Sequence, residues 1–273
     1  MADRLRWLET VTAGDSKIVT SIDGAGPTLV MLPSYGRDGF DDFDRVTDLM
    51  VAEGWRVLRP QPRGIAGSSG PMKGVNISDL VNDVAGVIRK LGDAPAVVLG
   101  HAFGNFVAHA LTVDYPDLVR GVILAPAAPA AASTIAPEVA ESPMIAGDPT
   151  RPEEERLAAL HLAFFVPGHD PSPWLDGWYP ETLAMQLGAL KATKLDPFAF
   201  GGVAPILEII GRFDPFKPQN LWSEMDEGLG DRATTVIIDD ASHALFPEQP
   251  DLVAEAVLRW AARLQLDERA AAS

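Results

Sequence analysis

The chain has 273 residues, 47% of them apolar, which allows one large domain or two small ones around a sizeable buried core. Its 22 basic and 38 acidic side chains leave a net charge of −16, which repels phosphate backbones and anionic lipid, so nucleic acid and membrane surfaces are poor partners. There is no cysteine, which excludes disulfides and thiolate metal sites.

Met1-Ala2-Asp3-Arg4 leads into no apolar run and does not read as a signal peptide. No stretch approaches the ~18 consecutive apolar residues of a membrane span, so a soluble, cytoplasmic protein is expected. Short β-branched runs at 17–22, 28–32, 56–59, 96–99, 121–125, 206–210 and 234–238 read as strands. Helical patterns alternate with them, which implies a mostly parallel sheet with crossover helices. Ile77, Leu80, Val81, Val84, Ile88 and Leu91 share one helix face, with Asn76 as N-cap and Gly92 as terminator. A final helix carries Leu252, Val253, Ala256, Val257, Trp260 and Leu264, and the tail from about Asp267 is expected to fray.

The strand pattern pauses between Ala125 and Ile206. This stretch opens rich in Pro and Ala and reads first as loop, then as a helix from Glu153 to Phe165, then as a turn at Pro167-Gly168-His169-Asp170-Pro171. We read 126–200 as a helical lid, and 1–125 with 201–273 as the core it covers. Such a lid lies over the carboxyl edge of the sheet, where open α/β sheets bind ligands. Its Phe164, Phe165, Trp174, Trp178 and Tyr179 are candidate contacts for a small to medium, largely apolar substrate. Each alone could equally be packing.

Three motifs carry chemistry. In Gly100-His101-Ala102-Phe103-Gly104-Asn105 a buried strand runs into Gly-x-x-x-Gly and then into a helix pattern. Ile206 to Gly211 ends a strand and leads through Asp214 to Pro215. The last strand is followed by Asp239-Asp240-Ala241-Ser242-His243-Ala244 and, a few residues on, Glu248. In this order the three closely resemble the nucleophile elbow, acid and histidine loops of the α/β-hydrolase fold, and the resemblance covers essentially the whole chain.

That resemblance implies an α/β-hydrolase core whose site consists of position 102, Asp214 and His243. It also implies oxyanion donors from the amides of Tyr35 and Phe103. Ser34, on the oxyanion loop, is a further candidate for ligand contact, or a small residue in a tight turn. The family's serine is replaced by Ala102, which has no lone pair to offer, so no acyl-enzyme can form there. The departure is either an engineered Ser→Ala change or native. Leu32-Pro33-Ser34-Tyr35-Gly36-Arg37 also lacks the usual His-Gly, and Gln61 stands for the usual acid before Arg63-Gly64, so the combination favours a native alanine. His101 reads as structural, while His161 and His169 are lid residues open to ligand contact. The expected activity is hydrolysis of an ester, lactone, amide or activated carbonyl compound. A lyase, a carbon–carbon-cleaving enzyme or a non-catalytic binding protein are the alternatives. No metal or organic cofactor is called for, and a monomer or homodimer is expected.

Overall fold

The computed structural model describes residues 6–126, 135–194 and 202–272. Eight strands form one sheet: β1 (Arg6–Ala13), β2 (Ser16–Asp23), β3 (Thr28–Leu32), β4 (Arg56–Pro60), β5 (Ala96–Gly100), β6 (Val119–Leu124), β7 (Ile206–Gly211) and β8 (Ala233–Ile238). Their order is β1-β2-β4-β3-β5-β6-β7-β8. The first two pairings, β1 with β2 and β2 with β4, are antiparallel, and all others are parallel. All seven expected strands are present, with ends moved by a residue or two. β1 was not expected; it is an edge strand whose Trp7 and Leu8 stay exposed, so it lacks a clean buried alternation.

Chain order reverses where β3 lies between β4 and β5, and that switch point opens a crevice beyond the strands' carboxyl ends. The loops after β3 and β5 leave the sheet there.

Helices cover both faces. α1 (Asp41–Ala52) and α9 (Pro250–Ala272) pack on one side, around Phe43, Met50, Leu99, Ile123 and Trp260. α2 (Ile77–Leu91) and α3 (Phe103–Asp114) pack on the other. α2 begins as expected: the Asn76 side chain accepts from the Asp79 amide at 3.1 Å, and Asp79 accepts from the Asn76 amide at 2.9 Å. This reciprocal pairing satisfies orphan donors at the helix start. Each fully buried Val, Leu or Ile on its inner face contributes roughly 1.5–3 kcal/mol. The tail expected to fray continues α9 to Ala272, because the helix that packs on the sheet propagates past its last core residue, Leu264.

Between β6 and β7 the chain forms α4 (Pro137–Ala146), α5 (Glu153–Ala163) and α6 (Pro180–Lys191). α4 lies in the stretch expected to be loop. Pro137 occupies the first helical position, where a missing N–H costs nothing, and α4 packs on α5 through Val139 and Ala146. The upper boundary drawn at residue 200, like the segments 127–134 and 195–201, lies outside the described residues. Two short helices complete the core, α7 (Glu224–Leu229) and α8 (Leu245–Glu248). Among the described residues no helix is long and apolar enough to cross a membrane.

One buried ion pair braces the edge of the crevice. Arg59 and Asp23, both fully buried, meet at 3.0 Å, and Arg59 also holds Asp44 at 2.7 Å and the Phe40 carbonyl at 3.1 Å. Removing one partner of such a pair leaves a charge in a low-dielectric site. Asp23→Ala is therefore expected to lower unfolding free energy by about 3 kcal/mol in urea titrations. A loss below about 1 kcal/mol, as at an exposed pair, would show that water reaches Arg59.

Candidate active site

The bend between β5 and α3 is a packing problem solved by two glycines. A Cβ on Gly100 would lie 2.4 Å from the Gly104 carbonyl carbon, and one on Gly104 would lie 2.4 Å from the Leu32 oxygen. The His101 amide donates to Leu32 O at 2.9 Å and the Ala125 amide to Gly100 O at 2.9 Å, which locks the bend to both neighbouring strands. Asn105 adds a side-chain brace, accepting from the Ala125 amide at 3.2 Å and donating to the Pro126 carbonyl. At the apex Ala102 has φ 49° and ψ −104°, a conformation L residues rarely adopt, and it is buried.

The candidate acid and base, Asp214 and His243, lie in the loops that follow β7 and β8. Asp214 is buried; its Oδ1 accepts the Phe216 amide at 2.8 Å, and its Oδ2 accepts Nδ1–H of His243 at 2.9 Å. That bond fixes the imidazole tautomer and leaves the Nε2 lone pair as the basic atom. The ring is held between aromatic neighbours, 4.3 Å from the Phe216 ring and 5.6 Å from the Phe164 ring, centroid to centroid. Behind Asp214 the wholly buried Lys217 pairs with Glu208 at 3.0 Å and Glu224 at 2.8 Å, and its amide donates to the Asp214 carbonyl at 3.2 Å. Burial pushes the Glu208 carboxyl above its usual range, and the Lys217 ammonium opposes that rise.

The bend and the base are in contact through His101, whose Nε2 donates to the His243 carbonyl at 3.3 Å. Its ring lies 6.0 Å from that of His243. Position 102 is thus chain neighbour to a residue that touches the base.

The loop after β3 forms the facing wall. Ser34 is buried there, and the Tyr35 ring packs 5.0 Å from that of Phe103. Gly36 turns the loop at φ 57°; its amide donates to Gln186 Oε1 at 2.7 Å, and its carbonyl accepts the Tyr179 amide at 2.7 Å. Among the described residues neither the Tyr35 nor the Phe103 amide has a hydrogen-bond partner. Gln61 has a clear job: its amide accepts from the Gly39 N–H at 2.9 Å and donates to the Arg59 carbonyl at 3.0 Å. A carboxylate could not make the second bond.

The connection between α5 and α6 brings its aromatics to this region. Phe164, Phe165 and Trp174 are buried in one cluster with Phe216 and Ala244, which flank the acid and the base. Trp174 stacks beneath the Arg37 guanidinium at 4.2 Å and lies 6.3 Å from the His101 ring, while Trp178 lies 6.2 Å from Phe164. Tyr179 stands apart from the base, its hydroxyl donating to Asp38 at 3.4 Å and its amide tied to the facing loop. His161 is exposed, whereas His169 is engaged with Glu248 at 2.9 Å rather than open to a ligand. Phe216 and Gln186 were not singled out from the sequence, and Glu248, named there only as part of the histidine loop, was given no role. Only Phe216 carried a usable signal, two residues beyond Asp214.

His101 sets a pH dependence. Burial first, then the proximity of His243, holds its imidazole well below the ordinary 6.5, so it is neutral in the fold. The unfolded chain takes up this proton below about 6.5, so stability is full above that pH and falls beneath it, by up to about 1.4 kcal/mol per unit. His101→Gln is expected to flatten that decline in urea titrations at stepped pH. An unchanged slope would contradict the assignment.

Three comparisons bear on this geometry. Residues 29–256 match the model of the alpha/beta hydrolase family. A 2-hydroxy-6-oxononadienedioate/2-hydroxy-6-oxononatrienedioate hydrolase of a Pseudomonas species is 26% identical over 266 residues, covering 90% of this chain and 88% of that protein. A pyrrolizixenacetamide deacetylase of Xenorhabdus hominickii is 28% identical over 117 residues, which span 43% of this chain and only 44% of that protein. The esterase of Exiguobacterium antarcticum shares the fold, with a TM-score of 0.76 at 20% identity over 92% of this chain and 98% of that one. The two relatives, a hydrolase and a deacetylase by name, bear on the activity, and the esterase bears on the fold. With the switch-point crevice, the glycine-built bend and a matching span of this length, the chain belongs to the alpha/beta hydrolase family and is a hydrolase.

Proposed function

We propose that this hydrolase acts on a small to medium, largely apolar ester, lactone or amide, with His243 activating water directly. The observation that carries the reading is the buried Asp214–His243 pair, bonded at 2.9 Å, beside an elbow whose apex is a methyl group. A serine at 102 would be the proton donor to Nε2. With Ala102 there, the lone pair is left for a water molecule.

Nε2 takes one proton from water, and the resulting hydroxide adds to the substrate's carbonyl carbon. Asp214 accepts from Nδ1–H throughout and stabilises the imidazolium that forms. The negative charge passes to the carbonyl oxygen, facing the amides of Tyr35 and Phe103, each worth roughly 3 kcal/mol when preorganised. Collapse expels the leaving group, which takes the proton back from Nε2. No acyl-enzyme forms. Ser34 is a small wall residue of the oxyanion loop in this scheme. Helices α4 to α6 form the lid, with Phe164, Phe165, Trp174, Trp178 and Tyr179 lining the substrate's apolar side.

The same unshared lone pair supports a second reading, removal of a proton from the substrate itself by a lyase or a carbon–carbon-cleaving enzyme. A non-catalytic binder has little use for an oriented base.

His243→Ala is expected to lower the rate on p-nitrophenyl acetate and γ-butyrolactone by about 100-fold or more, the usual contribution of a general base. Equal rates in the parent and the variant would exclude the pair as catalyst. Ala102→Ser is expected to give no pre-steady-state burst. A burst with a large gain in rate would instead mark a serine hydrolase lacking its nucleophile.

A further inference from the structure

We infer that Glu248 is a positioning residue for the base, holding the histidine loop by strapping it to the segment that follows α5. The inference rests on His243 being the base proposed above, and deepens that reading.

Glu248 ends α8, and its carboxylate is almost wholly buried. Oε2 accepts the Ser242 amide at 2.6 Å. Oε1 accepts the Val166 amide at 2.7 Å and faces His169 Nδ1, which donates to it at 2.9 Å. One carboxylate therefore joins the residue immediately before His243 to two residues of the segment after α5. Bonds to an ionised acceptor are about twice as strong as neutral ones.

The residue on the other side of His243 makes a matching link. Its amide, that of Ala244, donates to the Phe164 carbonyl at 2.7 Å. Since the His243 carbonyl already accepts from His101, three backbone groups around the base are committed: one to His101, one directly to Phe164 and one, through Glu248, to Val166 and His169. That segment also supplies the Phe164 ring against the imidazole. It cannot leave the histidine loop without releasing the base. The geometry makes this part of the lid a fixed strut rather than a moving flap.

Protonation is the natural way to loosen the strut. Burial pushes the Glu248 carboxyl above its usual range, against the Val166 and Ser242 amides and His169, which hold it down. Once protonated, it accepts from its three donors more weakly. The other titratable groups facing the contact are His169 and Asp240, which meet at 3.4 Å on the histidine-loop side.

The test is Glu248→Gln in the full chain, read by NMR and by hydrolysis of p-nitrophenyl acetate. A carboxamide offers one acceptor oxygen and places its NH2 against an amide donor. Expected are loss of the His243 Nδ1–H signal to solvent exchange, faster hydrogen exchange at Ser242 and Val166, and about a tenfold fall in kcat with KM nearly unchanged. A folded variant whose Nδ1–H signal and both amides match the parent would overturn the inference. Should that variant not fold, the unmodified protein and His169→Gln decide. In the parent both amides, corrected for intrinsic exchange, are expected to lose protection as pH falls through the Glu248 titration, and His169→Gln is expected to move that loss to higher pH. Protection independent of pH would overturn the strut. The magnetic resonance signals do not depend on turnover. Equal rates for the parent and His243→Ala would therefore sink the proposed chemistry while leaving the response of Nδ1–H to Glu248→Gln intact.

Discussion

The site depends on the approach of a strand and a helix too close for side chains. Gly100 and Gly104 meet so tightly that a Cβ on either would overlap backbone, and this contact forces the residue between them into a strained conformation. Strain of that kind costs of order 1–3 kcal/mol and persists only where surrounding structure overdetermines it. Here the surroundings are the bonds from the His101 amide to the Leu32 carbonyl and from the Ala125 amide to the Gly100 carbonyl and the Asn105 side-chain oxygen. The residue at the apex of the bend is Ala102, which carries a methyl group.

Around it, buried charge is arranged in compensated groups. Asp214 receives two donors, Lys217 is held between Glu208 and Glu224, and Arg59 between Asp23 and Asp44. Each braces a loop at the carboxyl edge of the sheet: Arg59 through Phe40 and Gln61, Lys217 through Asp214. The rings of Phe164 and Phe216 lie against the His243 imidazole, within an aromatic cluster that includes Trp174 and Trp178. In an apolar setting of this kind the bond between the Asp214 carboxylate and the His243 imidazole gains electrostatic strength.

Much of this was legible in the sequence where a residue type has a unique steric or chemical reason to stand. The glycines of the bend, the acid after β7 and the histidine after β8 are of that sort, as is the Asn76 cap of α2. β1 was hidden because an edge strand with Trp7 and Leu8 exposed does not alternate cleanly. α4 was hidden because Pro137 and Pro143 read as breakers, although the first sits where a helix tolerates proline best. Glu248 illustrates a deeper limit. Two of its partners, Val166 and His169, lie about 80 residues away in sequence and meet it only where the segment after α5 packs on the histidine loop. Gln61 looked like a departure from the family's acid, and its two-sided hydrogen bonding is visible only when Gly39 and the Arg59 carbonyl are in place.

An imidazole that works as proposed, without a covalent intermediate, leaves the protein's mass unchanged during turnover, and intact-protein mass spectrometry reads that mass. The parent enzyme is acid-quenched during turnover of p-nitrophenyl acetate and weighed. The account predicts product release with the protein mass unchanged. An acetylated protein accumulating in step with turnover, on Ser34 or on any other side chain, would contradict it.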